Sequence, residues 1–208
     1  MNKQEIDAYF KIVGAQLPYE VTIALTGAVA GSLMGRIRPS RDIDFAVLTP
    51  DKNPTAQEWS QIEGAIKKAS ERTGIPAQYA HDIDHWSMIS FLDYADHQKL
   101  YKVLGKAKVC FLSPEYWSIG KMGRFLDLDV QDIITVLKKE KTDPDKLAVI
   151  WGKALKASIP STASSEFKKR VDYFFRTHGE QIWGKKFKVS SMVNRFHECA
   201  GIKIVKAP

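Results

Sequence analysis

Apolar positions recur at helical spacing at the amino end, where Ile6, Phe10, Ile12, Val13 and Leu17 predict an amphipathic helix over residues 2–16 that stops before Pro18. Val21–Leu25 is a short apolar run of the kind a buried central strand shows. Residues 28–34 are small and apolar and suit a helix packed closely on a sheet. Asp42–Leu48 predicts a second strand, ended by the turn sequence TPDKNP. Over Pro54–Thr73 the apolar residues Trp59, Ile62, Ala65, Ile66 and Ala69 sit three and four apart, which predicts a helix closed by Gly74. Pro76–Ala80 reads as a short strand, and Trp86–Leu92 as a strand rich in β-formers. Tyr101–Leu104 and Lys108–Leu112 flank Gly105-Lys106 as a hairpin.

After residue 112 the pattern turns helical. Ser113 suits a helix N-cap with Pro114 in the first turn. Further helices are predicted over about 129–139, from Thr142 and Pro144 to about Lys156, and over about 165–177 and 190–200, with SIPSTASS at 158–165 as a linker. Strands followed by helices predict an α+β protein: a mixed sheet flanked by helices over residues 1–112, then a helical C-terminal region over 113–208.

At 208 residues the chain is long enough for one good core with a helical appendage. No apolar run approaches the ~20 residues of a membrane span, so no membrane partner is expected. The amino end lacks the apolar stretch of a signal peptide. Cys110 and Cys199 match no metal spacing and read as thiols of a reducing cytoplasm, which predicts a cytoplasmic protein. The net charge of +7 is uneven: residues 151–208 carry 12 Lys and Arg against 4 Asp and Glu, a net of +8. A basic carboxyl-terminal part points to an anionic partner, although a lysine-rich solvated face would have the same composition.

Residues 23–48, IALTGAVAGSLMGRIRPSRDIDFAVL, concentrate the candidate chemistry. A strand runs into Gly27, a small-residue helix follows, and a basic connector leads to Asp42 and Asp44. Strand residues two apart point the same way, so the two carboxylates converge about 6–7 Å apart and repel. A divalent cation relieves that repulsion, and oxygen-only ligation favours Mg²⁺, or Mn²⁺ in its place. Alone, such a pair is more often an edge strand with two solvated aspartates. Gly27 and Ala28 in front of a helix add phosphate-binding amides, and Arg38, Ser40 and Arg41 lie just upstream of the pair.

This stretch resembles the DNA polymerase β-like nucleotidyltransferase superfamily, whose pattern is a Gly-Gly or Gly-Ser pair, nine to thirteen residues, and a Dh(D/E) strand. It is most similar to the minimal abortive-infection and toxin-type branch, in which Gly27, Ala30, Gly35, Arg38, Asp42, Ile43 and Asp44 all find a counterpart. Ser40 stands where Thr is common, and Ala28 where a second Gly or Ser is usual. Gly31-Ser32 offers a second register for the glycine pair. The resemblance implies that residues 1–112 are a nucleotidyltransferase core. Farther on, it matches Lys121, Arg124 and Asp129-Val-Gln-Asp132-Ile to a lysine, an arginine and a D-h-x-D-h motif, with Leu128 in place of a usual basic residue.

By this resemblance Asp42 and Asp44 bind metal; Gly27, Ala28, Arg38, Ser40 and Arg124 bind nucleotide; Lys121 contacts triphosphate oxygens; and Asp129 assists the metal or takes a proton. The second half of the site is thus expected from the helices after residue 113. Read from its residue alone, Asp129 is also a candidate helix cap. The third carboxylate is open among Asp129, Asp132, Asp84 and Asp93. Asp82 and Asp84 repeat the DID pattern between His81 and His85, whose spacing would suit zinc, but without an apolar continuation they read as a polar loop.

The implied activity is transfer of a nucleoside monophosphate from an NTP, ATP among them, to an acceptor hydroxyl. RNA, such as a tRNA end, is the favoured acceptor, with a protein or small molecule as alternatives. Lys168, Lys169, Arg170 and Arg176 interleaved with Tyr173, Phe174, Phe175 and Trp183 suit RNA, although such aromatics are more often helix core. The branch further implies a toxin or phage-defence role with an antitoxin protein as partner. The alternative function is a nucleotidyltransferase-fold protein that binds nucleotide or RNA without turnover.

Overall fold

The computed structural model describes residues 1–35, 38–51 and 54–202, with His85 and Trp86 described in their backbone alone. The chain divides into two compact units: Met1–His85 with Ala95–Ser113, and Trp86–Tyr94 with the chain from Pro114 onward.

The first unit opens on helix α1, Lys3–Gln16, held at its start by a capping box in which Asn2 and Glu5 satisfy each other's amides. Strand β1 (Val21–Leu25), helix α2 (Gly27–Gly35), strand β2 (Ile43–Leu48), helix α3 (Ala56–Thr73) and strand β3 (Ala77–Ala80) follow, and strands β4 (Gln98–Leu104) and β5 (Ala107–Leu112) complete the unit. The sheet order is β3-β2-β1-β5-β4. β1 is antiparallel to β2 and parallel to β5, so the sheet is mixed.

One sheet face is the core. Phe45 of β2 meets Phe10 of α1 at 5.5 Å between ring centroids and stacks on Tyr79 of β3 at 5.9 Å. Tyr9 and Phe10 are fully buried, and burial pushes the Tyr9 phenol up to about 12 although Ser70 of α3 hydrogen-bonds it at 3.2 Å. Side chains alternate along a strand, so Asp44, next to Phe45, projects from the opposite face. Gly14 explains how tightly α1 crosses the β4–β5 turn: a Cβ there would lie 1.8 Å from the carbonyl oxygen of Leu104.

The second unit holds α4 (Pro114–Arg124), α5 (Asp127–Lys139), α6 (Pro144–Ala157), α7 (Thr162–Trp183) and α8 (Val189–Cys199). Trp151, fully buried, packs on Phe174 and Phe175, and its indole N–H donates to the Ser118 hydroxyl at 3.1 Å. α6 and α8 touch at Gly152, where a Cβ would come within 2.6 Å of the Cys199 Cβ.

Among the described residues the protein is therefore α+β, with a five-stranded mixed sheet and eight α-helices. Among those residues, no helix is long and apolar enough to cross a membrane.

Several expectations need correction. Trp86–Leu92 is not a strand: the chain makes a single-turn 3₁₀ helix over Ile83–Trp86 and then irregular turns. Hydroxyls take the place of a ladder, since Ser87 Oγ accepts the Ile89 amide and Ser90 Oγ the Leu92 amide, both at 3.1 Å. The 158–165 linker is shorter than expected, because Ser161 and Ser164 form a capping box that starts α7 at Thr162. Ser113 Oγ has no hydrogen-bond partner among the described residues, so it caps nothing. Asp129 is not a cap either: Leu126 occupies the cap position of α5, without a side-chain bond.

Candidate functional site

Strand β1 ends at Leu25, and Thr26 both donates its amide to the Asp44 carbonyl at 2.8 Å and accepts the Ala30 amide at 3.1 Å. That double tie turns the chain from sheet into helix at Gly27, which takes φ +58°. Left-handed backbone favours glycine, and space requires it as well: a Cβ on Gly27 would fall 1.9 Å from Asp44 Oδ2. The Asp44 carboxylate therefore lies against the first turn of α2, where Ala28 and Val29 present amides that no carbonyl one helical turn back can take. A helix N-terminus carries partial positive charge and favours an anion at this place.

Asp42 precedes β2 by one residue rather than lying in it. Its orientation follows from two neighbours. Ser40 Oγ donates to Asp42 Oδ1 at 2.8 Å, and Gln78 Nε2 reaches Oδ2 at 3.4 Å. Gln78 is the residue paired with Asp44 in the parallel β2–β3 register. Paired residues in a sheet share a face, so Asp42, Asp44 and Gln78 converge on the face opposite Phe45.

Carboxylates and a hydroxyl make a purely oxygen donor set, the chemistry a hard cation such as Mg²⁺ takes. Each Asp42 oxygen keeps acceptor capacity beyond its one named hydrogen bond. The residues present thus fit the metal the sequence led us to expect. Among the described residues no group of three or more His, Cys, Asp or Glu side chains gathers around one point.

Arg38 and Arg41 are exposed in the connector, whose first residues, Arg36 and Ile37, lie outside the described set. Asp82 Oδ1 accepts the Asp84 amide at 3.1 Å, a local turn. The His81 ring lies 3.5 Å from that of Trp59, and the His85 side chain is outside the described residues.

Lys121, Arg124, Asp129 and Asp132 belong to the helical unit and meet there. Lys121 Nζ, 3% exposed, donates to Asp129 Oδ1 at 2.9 Å and to Asp132 Oδ2 at 2.7 Å. Arg124 grips Asp129 with two N–H groups, at 3.1 Å and 2.7 Å. Asp129 is itself 1% exposed. Burial pushes its carboxyl up, but the hydrogen bonds and charges of Arg124 and Lys121 outweigh that and hold it below the usual carboxylate range. The helical spacing carries this arrangement: Lys121 lies in the last turn of one helix, and Asp129 and Asp132, three apart, share a face of the next. Asp93 serves the same unit, accepting the Tyr116 hydroxyl at 2.9 Å.

Sequence reasoning missed Gln78. Nothing marks it locally; only the β2–β3 register puts it across from Asp44. It also missed Phe125, which follows α4 at φ +58° and meets Tyr173 of α7 edge-on at 6.1 Å. Against known proteins, no family model, no curated protein and no solved structure matches the chain.

Proposed function

We propose that the protein is a metal-dependent nucleotidyltransferase that moves a nucleoside monophosphate from an NTP to an acceptor hydroxyl, RNA being the favoured acceptor. One observation carries the reading: two carboxylates converge on one sheet face, and one of them is seated at a glycine turn that opens a helix. A bound Mg²⁺ would neutralise charge developing on the transferring phosphoryl group and the pyrophosphate that leaves. Asp42 and Asp44 hold it, with Ser40 and Gln78 fixing the Asp42 carboxylate. The first-turn amides of Ala28 and Val29 orient phosphate oxygens, and Gly27 leaves room for Asp44 beside them. The attacking acceptor oxygen forms its bond to the α-phosphorus as the bond to the β-phosphate oxygen breaks, and the hydroxyl proton passes to a base.

A second reading, binding of nucleotide or RNA without turnover, has its own observation. Lys121 and Asp129 already neutralise each other in a buried network, so two of the three Lys121 donors are committed within the helical unit. Contact with a triphosphate through those donors requires partner exchange.

The deciding experiment incubates the protein with α-labelled NTPs, Mg²⁺ or Mn²⁺ and total tRNA. Label on RNA that disappears in Asp42→Asn and in Asp44→Asn supports transfer. Nucleotide binding without label in wild type supports the second reading.

A further inference from the structure

The helical unit carries a basic and aromatic concavity of about 700 Å³ that is lined by Phe125, Val130, Gln131, Lys169, Arg170 and Tyr173. We propose that it seats an unpaired base of a single-stranded polynucleotide, with the adjoining phosphate on Lys169 and Arg170.

The aromatic ring that faces outward is the first reason. On α7, Phe167, Val171, Phe174 and Phe175 turn inward and are fully buried, whereas Tyr173 stands on the outer face at 53% exposure. Core formation does not account for an aromatic left half in solvent. Phe125 supports it edge-on at 6.1 Å, and the His178 ring also lies 6.1 Å from it. Phe125 reaches that place from a left-handed backbone at φ +58°, a conformation a bulky side chain seldom takes. Val130 gives the concavity an apolar floor, and the Gln131 amide offers both a donor and an acceptor for a base edge.

The cations are the second reason. Lys169 and Tyr173, four apart, share the outer face of α7. Lys169 is paired with Glu166 at 2.7 Å, but this is an exposed helix pair of the kind worth little, so exchange for a phosphate is inexpensive. Arg170 donates one N–H to the Gly123 carbonyl and has further N–H groups to offer a phosphate. Asp127 lines the same concavity. Its charge disfavours phosphate at that end, so the base lies toward Phe125 and Tyr173 and the phosphate toward Lys169 and Arg170. An acidic peptide would use the two cations, whereas a nucleotide supplies an anion and a planar ring in one unit, as this lining does.

The proposal rests on the transferase reading only in naming a strand end as the acceptor; binding itself needs no transfer. It is tested with the full chain and labelled oligonucleotides of about ten nucleotides, in EDTA and without NTP. Tyr173→Ala should weaken binding of single-stranded RNA roughly 5- to 150-fold, which is ~1–3 kcal/mol of base stacking converted at ~1.4 kcal/mol per tenfold. Tyr173→Phe should stay within about twofold of wild type, because the ring face is retained. Lys169→Gln should reduce the slope of log affinity against log salt by about one. A DNA arm separates the sources: equal affinity assigns the site to any single strand, tighter RNA to a strand carrying 2′-hydroxyls. Wild-type affinity in a folded Tyr173→Ala, or preference for duplex over single strand, overturns the proposal. Asp44→Asn serves as the independent arm, since it should abolish transfer while leaving this binding intact.

Discussion

The Asp44 carboxylate occupies the space in which any side chain on Gly27 would have to stand, with Oδ2 1.9 Å from the position of a Cβ. Two penalties therefore meet in Gly27→Ala. The left-handed backbone at φ +58° costs about 1 kcal/mol for a residue with a Cβ, and forcing Asp44 aside adds the ~1–3 kcal/mol typical of overpacking. A loss of about 2–4 kcal/mol in urea unfolding is expected. In an Asp44→Gly background the same substitution should cost only the backbone share, so a double-mutant cycle should return a coupling of about 1–3 kcal/mol. Additive costs would show that the two residues do not compete for space.

If Asp42 and Asp44 hold a cation, as proposed, it binds the folded state alone and raises its melting temperature. At a hundredfold excess over its Kd the added stability is about 2.7 kcal/mol. Titration of Mg²⁺ or Mn²⁺ should show this rise in wild type and lose it in Asp42→Asn and in Asp44→Asn. Gln78→Ala should weaken the response without removing it, because Gln78 orients the Asp42 carboxylate through a 3.4 Å contact rather than supplying charge. A melting temperature indifferent to both metals in wild type would sink the metal assignment.

How far the sequence could be read depended on whether a signal was local. The capping boxes Asn2–Glu5 and Thr55–Glu58, the Gly74 C-cap and the Gly105 turn are all short-range chemistry, and the elements they bound were predicted within a few residues. Trp86–Leu92 has the composition of a strand, but its hydroxyls compete for the backbone and its segment belongs to the helical unit, where a Cβ on Gly120 would lie 3.0 Å from the Phe91 ring. The carboxyl end of α7 failed for a related reason. The expected stop near residue 177 overlooked Phe187, whose ring lies 2.1 Å from where a Gly179 Cβ would be and so makes glycine a packing choice rather than a helix breaker. The convergence of Asp42 and Asp44 on one face was legible from their spacing, although Asp42 precedes the strand by one residue. Gln78, and the pairing of Lys121 with Asp129 and Asp132, depend on register and helix phase and were not.

Acid should weaken the helical unit through Asp129. Its carboxyl is held below the usual range, so its folded pKa lies below its unfolded one. The stability it contributes is then complete above the unfolded value, about 3.9, and is lost as pH falls through the folded value. Urea midpoints should be flat in this respect at neutral pH and decline below about pH 4. Asp129→Asn removes that decline, and it also lowers stability at neutral pH because Lys121 stays buried with one carboxylate fewer. An acid limb equally steep in the variant would assign the effect to other carboxylates.

Lys121 permits a sharper separation of structure from function. It is 3% exposed and lies between two buried carboxylates, so Lys121→Met strands negative charge in the core and should cost about 3–5 kcal/mol. Lys121→Met with Asp132→Leu replaces one ion pair by apolar groups, and stability should partly return, since a buried pair is worth little against a well-packed apolar substitute. Arg124 continues to hold Asp129 in both variants. If Lys121 acts only as this internal counter-ion, the stabilised double variant regains whatever nucleotidyl transfer the single one lost. If Lys121 also meets the triphosphate, stability returns and transfer does not. Unfolding curves and labelled-NTP transfer measured on the same preparations distinguish the two outcomes.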